Sequence, residues 1–239
     1  MRAGLPVRAI AYLSAISLVA VVAALLLARS YGSTASLPAF LIITVIGALA
    51  HANPVRGFRH QAYQVTLPFI VLAAAMFNAI QLVAFIFVIH LAEQVRLRRP
   101  LYIQWFNACD YLVSAAVAAM FFHRATAALV DGALGQLIAA LAAACAFILI
   151  NRLLLAGILW LARQLSPLAS GLFQPELLAA DLIIAWISGP MLVVALQAGV
   201  WTILVTAGPL LLARPALSAL LRRQGTVAGQ VQLPAAQGG

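Results

Sequence analysis

The sequence predicts an all-α fold, a polytopic transmembrane helical bundle, and three observations carry that prediction. Hydrophobic residues make up 65% of the chain and charged residues 8%, whereas a soluble domain carries about a quarter charged residues. The apolar runs are long, rich in Leu and Ala, and show no strand-type alternation. The cations fall singly or in small groups between those runs, as the positive-inside rule expects. In hydrocarbon only closed barrels and helices satisfy every backbone polar group, and without alternation the helix is the remaining choice.

A span requires about 20 apolar residues, and the chain divides accordingly. Ala9–Ala28 forms the first span, longer than a signal-peptide core and followed by no small-residue cleavage site. Leu37–Ala52 is a short second span, and the basic loop Asn53–Gln64 follows with Arg56, Arg59 and His60. Val65–Ala92 would make a helix of about 42 Å, too long for one straight crossing and too short for two full ones. Flanking charge decides it. A turn near Phe77–Gln81, where Asn78 and Gln81 can cover the broken backbone, places Arg56 and Arg59 on the same side as Arg96, Arg98 and Arg99.

The next spans are Ile103–Phe122 and Leu134–Ala162, separated by a small loop with Asp131 and Gly132. After the loop Arg163–Gln174, the run Leu177–Ala213 is long enough for two short crossings and contains Gly189-Pro190 and Gly208-Pro209. The expectation is about eight crossings with two pairs of short or broken helices. The membrane domain covers residues 1–221, and residues 222–239 form a disordered cytoplasmic tail without charge after Arg223. With both termini inside a bacterial inner membrane, eleven arginines (2, 8, 56, 59, 96, 98, 99, 163, 214, 222 and 223) lie on the cytoplasmic side and two (Arg29, Arg124) outside, with Arg152 inside a span.

The net charge of +9 does not mark a nucleic-acid partner, because no basic stripe with interleaved aromatics exists. Lysine is absent. Cys109 and Cys145 lie in apolar runs without metal-type spacing and read as small apolar fillers. No phosphate-binding loop, dinucleotide fingerprint, nucleophile elbow or zinc-protease motif is present, so neither an enzyme nor a cofactor is expected. His51, His60, His90 and Glu93 all map to the inner boundary, and His90 and Glu93 share a helix face. They form no multi-ligand motif, and the expectation is no metal site. The four Trp residues mostly suit belt positions at span ends.

Ionisable groups within spans cost roughly 2.5–3.5 kcal/mol each on insertion scales and need a partner or a purpose. Asn107, Asp110, Asn151, Arg152 and Asp181 form the expected intramembrane polar cluster, all in the inner half of the membrane. Arg152 is expected to pair with Asp110, since the two spans are joined by a short loop, with Asp181 in reserve. Such a cluster is either a clamp between helices or a polar cavity that binds a ligand or moves a proton.

Arg98-Arg99-Pro100, Trp105-Phe106-Asn107-Ala108, Tyr111 and Ser114 together resemble the middle of a known membrane module. So do Phe147-Ile148-Leu149-Ile150-Asn151, Gly189-Pro190 and Pro209-Leu210-Leu211-Leu212-Ala213-Arg214. The module is the N-terminal multi-pass sensor of bacterial HD-domain phosphohydrolase and GGDEF diguanylate cyclase signalling proteins. The resemblance covers most of residues 10–220. It implies a membrane sensor or interaction module with a cytoplasmic signalling partner, here without the catalytic domain. Uncharged residues are expected in that family where this chain has Asp110 and Arg152. The alternative is a small substrate-binding membrane subunit of a transporter, because paired short or Gly/Pro-broken segments mark midplane binding sites. Besides the lipid bilayer and such a partner, a second copy of the chain is a further candidate for contact.

Overall fold

The computed structural model describes residues 5–30, 35–53, 65–128 and 132–209, and the backbone alone at 55–56 and 62–63. Seven helices follow in order: α1 (Val7–Ser30), α2 (Leu37–Ala52), α3 (Leu67–Met76), α4 (Ala79–Leu97), α5 (Leu101–Ala128), α6 (Ala133–Arg163) and α7 (Pro175–Ala198). A final helical stretch, α8, covers 202–209. Between α2 and α3 lies a two-residue antiparallel ladder, β1 (Val55–Arg56) on β2 (Ala62–Tyr63). The predicted tail and the Arg residues at 214, 222 and 223 lie outside the described residues, as do Asp131 and His60.

Five helices (α1, α4, α5, α6 and α7) are long and apolar enough to cross a membrane. Their outward faces carry Leu18, Val21, Leu25, Leu149, Leu153 and Ile183, all exposed. Such surface belongs against acyl chains, and the chain is a membrane protein on that ground. At 28 and 31 residues, α5 and α6 extend about 42 and 46 Å. Both overrun a hydrocarbon core of about 30 Å and must tilt or project. The four Trp side chains all face outward.

The predicted turn within Val65–Ala92 is present at Phe77–Asn78. Phe77 is extended (φ −93°, ψ 145°), and Asn78 caps α4 in a capping box with Gln81. Gln81 also ties the start of α4 to the segment just before α2, donating to the Ala35 carbonyl at 2.9 Å and accepting from its amide at 3.1 Å. Near the other end of both helices, His51 Nε2 of α2 lies 3.3 Å from His90 Nδ1 of α4. Bonds at both ends make α2 and α4 parallel. α3 runs against them: Thr66 at its start meets His51, and Phe77 at its end packs on Phe40.

The bundle therefore has two distinct ends. One holds the starts of α1, α3, α5 and α7 and the ends of α2, α4 and α6. Tyr12, early in α1, donates to the Leu154 carbonyl late in α6, and Arg152 of α6 reaches Leu177 at the start of α7. Among the described residues this arginine end carries Arg8, Arg96, Arg98, Arg99 and Arg163, and the far end carries Arg29 and Arg124.

Two expectations need correction. The segment Val65–Ala92 does not form a pair of short helices. α3 has 10 residues and α4 has 19, because Pro68 sets the first turn of α3 and Asn78 begins a new helix. α3 spans about 15 Å, half the hydrocarbon core. Leu67 through Ala74 are all buried, so α3 fills the bundle interior. Second, Gly189-Pro190 does not break its segment. α7 runs through Pro190, and the break comes at Gly199, whose φ of 94° favours glycine. Gly189 lets α6 approach, since a Cβ there would stand 2.5 Å from Leu137 Cδ1.

Gly47 performs the same service where α2 meets α4. A Cβ would lie 2.7 Å from Cε2 of Phe85, a ring with no exposed surface. Gly47→Ala should cost about 1–3 kcal/mol of stability through overpacking, and Phe85→Leu in the same chain should restore most of it in a detergent thermal melt. The two-ended arrangement makes a second prediction. In a background lacking Cys109 and Cys145, Arg98→Cys and Gln164→Cys should react alike with an impermeant thiol reagent in intact cells, and Gly132→Cys oppositely. Opposite behaviour of Arg98→Cys and Gln164→Cys would rule the arrangement out.

Candidate functional site

Two buried polar clusters lie toward the arginine end. The first contains the residues singled out in the sequence. α6 places Asn151 and Arg152 consecutively, and consecutive helical residues point about 100° apart. Asn151 faces α5, where its Nδ2 donates to Asp110 Oδ2 at 3.1 Å. Ser114, one turn on, donates its hydroxyl to Asp110 Oδ1 at 3.2 Å. Arg152 faces α7 instead. Its Nε donates to Asp181 Oδ2 at 3.0 Å, its Nη2 bonds the same oxygen, and Nη2 stands 3.5 Å from the Leu177 carbonyl.

The expected Asp110–Arg152 pair does not form; the reserve partner Asp181 takes the cation. A short loop makes α5 and α6 neighbours, as reasoned, but it does not decide which face of α6 meets α5. Asn107 is half-buried one turn before Asp110 and makes no hydrogen bond into the cluster. Asp110 is 2% exposed and Arg152 6%, so neither charge escapes to the membrane surface.

Beside the Arg152–Asp181 pair, a cavity of about 120 Å³ opens between α3, α6, α7 and the segment before α7. Leu67, Phe147 and Leu172 supply apolar wall, and Asn151, Arg152 and Asp181 the polar wall. Arg152 Nη1 is buried and has no hydrogen-bond partner. A space of this size suits a few waters or one small polar molecule and is well below the range of roughly 300–1,000 Å³ for drug-sized ligands.

The second cluster joins residues that the sequence placed at one boundary without joining them. His51 ends α2, His90 and Glu93 share a face of α4, and all three are buried. His51 Nε2 lies 3.3 Å from His90 Nδ1 and 3.5 Å from Glu93 Oε2, and His90 Nδ1 lies 3.7 Å from that oxygen. Thr66 Oγ1 is 3.2 Å from His51 Nδ1. Gln104 of α5 donates to Glu93 Oε2 at 3.1 Å and to the His90 carbonyl at 2.6 Å, and Arg99 Nη2 holds Glu93 Oε1 at 3.1 Å. Tyr111 stands edge-on to both imidazoles, with centroids 5.2 and 4.8 Å away.

Sequence reasoning missed Thr66, Gln104, Arg99 and Tyr111 as parts of a site. The common boundary position of His51, His90 and Glu93 was the available signal. Among the described residues, seven buried side-chain polar atoms lack a partner, and four belong to these clusters: His90 Nε2, Gln104 Oε1, Tyr111 Oη and Arg152 Nη1. Three of the four lie in the second cluster and one, Arg152 Nη1, in the first; a buried polar atom without a partner costs about 1–3 kcal/mol.

Comparison of the chain with protein-family models, with curated proteins and with solved structures gives no match.

The pairing generates a prediction in two double-mutant cycles. Arg152→Met and Asp181→Leu should each destabilise by about 3–5 kcal/mol, and the double variant should recover much of that loss. Arg152→Met with Asp110→Ala should instead be additive within about 0.5 kcal/mol. Thermal or denaturant unfolding in detergent reads both, and equal coupling in the two cycles would refute the assignment.

Proposed function

We propose that this chain is a membrane-embedded sensor module that binds a small anionic ligand beside Arg152 and relays its occupancy to a cytoplasmic signalling partner. The observation that carries this reading is Arg152 itself. It is a buried guanidinium in the wall of a cavity, held from one side by Asp181, with Nη1 left unpaired. A planar cation with a spare donor suits a carboxylate or phosphate-like group. The positive-inside rule assigns the arginine end to the cytoplasm of a bacterial inner membrane, which puts the cavity on the side where a partner could read it. The resemblance of Arg98-Arg99-Pro100, Trp105-Phe106-Asn107-Ala108 and Gly189-Pro190 to bacterial sensor modules supports the same reading.

The transport alternative loses the feature that motivated it. A transport site of that kind is built from helices broken near the bilayer midplane. Here the α3–α4 break lies at the far end of the bundle, and α7 is continuous through Pro190.

The test is stabilisation of the purified full chain in detergent by phosphate, bicarbonate and small carboxylates. At least one should raise the melting temperature of the native chain by several degrees and leave an Arg152→Gln variant that retains its helical content unmoved. No shift with any of them overturns the ligand assignment. Uptake of the stabilising anion into proteoliposomes would replace the sensor with a transporter.

A further inference from the structure

We infer that His51, His90 and Glu93 form a binding site for one divalent transition-metal ion, zinc by ligand type and spacing, with a fourth position left for water. This inference does not depend on the sensor reading, since the site and its readout differ from those of the Arg152 cavity.

The geometry is the main support. His51 Nε2, His90 Nδ1 and Glu93 Oε2 form a triangle with edges of 3.3, 3.5 and 3.7 Å. A point about 0.5 Å off the plane of that triangle lies about 2.1 Å from all three atoms, and zinc bonds to imidazole nitrogen and carboxylate oxygen are about 2.0–2.2 Å long. Edge length also separates coordination numbers. Neighbouring ligands of a tetrahedral ion at such distances stand about 3.3–3.6 Å apart, and those of an octahedral ion about 2.8–3.1 Å apart. The observed edges lie closer to the tetrahedral range, which favours a four-coordinate centre.

The chemistry of the three groups agrees. With Nδ1–H of His51 donated to Thr66, the Nε2 lone pair faces the triangle. The two amide hydrogens of Gln104 go to the His90 carbonyl and to Glu93 Oε2. In the His90 tautomer that carries its hydrogen on Nε2, the Nδ1 lone pair also faces the triangle, and three electron pairs converge in a buried space, an arrangement that a cation relieves. The outer contacts of His51 and Glu93 have the form found around metal ligands. Arg99 holds the second carboxylate oxygen, Gln104 fixes the carboxylate, and Thr66 Oγ1 stands within hydrogen-bond reach of His51 Nδ1. Tyr111 keeps both rings from rotating. A clamp between helices needs only one such hydrogen bond; three ligand-type atoms from two helices at coordination spacing exceed that need.

The test uses the full chain purified in detergent and stripped of metal, then titrated with Co²⁺ and with Zn²⁺. Cobalt should bind at one equivalent and give the intense visible bands of a four-coordinate ion, and zinc should abolish them. His51→Gln, His90→Gln and Glu93→Gln should each weaken binding at least a hundredfold, and Gln104→Leu about ten- to a hundredfold as a positioning residue. His123→Ala should change nothing. Circular dichroism and gel filtration establish that each variant is folded, and if His90→Gln is not, His51→Gln at the end of α2 supplies the decisive comparison. Absence of the bands with folded native chain overturns the site, as does cobalt binding of equal strength in His51→Gln and Glu93→Gln.

Discussion

Hydrocarbon offers no hydrogen bonds, and the arrangement of this molecule follows from that constraint. A helix can hide its own backbone in the membrane, but Asp110, Arg152, His51, His90 and Glu93 must find partners on other helices. They do so by facing inward. Each contact fixes one helix against the next: Asn151 fixes α6 on α5, Arg152 fixes α6 on α7, His51 fixes α2 on α4, and Gln104 fixes α5 on α4. Apolar packing alone discriminates poorly in lipid, where one Leu-rich face resembles another. The polar contacts therefore select the helix rotations, and the small residues Gly47 and Gly189 let the selected faces close.

The two clusters share a wall. Tyr111 touches His51 and His90 on one side and packs edge-on to Phe147, 5.3 Å between centroids, on the other. Phe147 lines the Arg152 cavity. Asp110, the neighbour of Tyr111 in sequence, is bonded to Asn151, which precedes Arg152. A rearrangement of the imidazoles would press on the cavity through two rings rather than through a long chain of contacts. That short connection is a direct physical link between the two clusters.

Much of the architecture was legible because hydrophobic length reports directly on lipid contact, and arginine placement on which helix ends lie together. The turn after α3 could be located from Asn78 and Gln81, since polar residues in an apolar run have few other uses there. The lengths of its two arms could not, because a helix packed among other helices need not match the bilayer; α3 is sheltered by its neighbours and obeys no span rule. Pro190 misled for a related reason: α7 stays helical through it despite the missing hydrogen bond, packed against neighbouring helices. At the polar sites, residue identity showed that Arg152 needed a carboxylate. The choice between Asp110 and Asp181 depends on helix rotation, about which an apolar sequence with Leu and Ala on every face says little. His51 and His90 are 39 positions apart, and only the parallel pairing of α2 with α4 brings them together.

The buried half-length of α3 bears on how the chain is assembled during synthesis. Ten apolar residues are too few to be retained by the bilayer on their own. Its main packing partners, α5 and α7, are both made after it. α3 must wait, held by its link to α2 at Thr66 and by the cap that starts α4, until the later helices leave the insertion machinery. The centre of the bundle is thus translated early and enclosed last, and the stage most exposed to misfolding or proteolysis is the interval before α7 arrives.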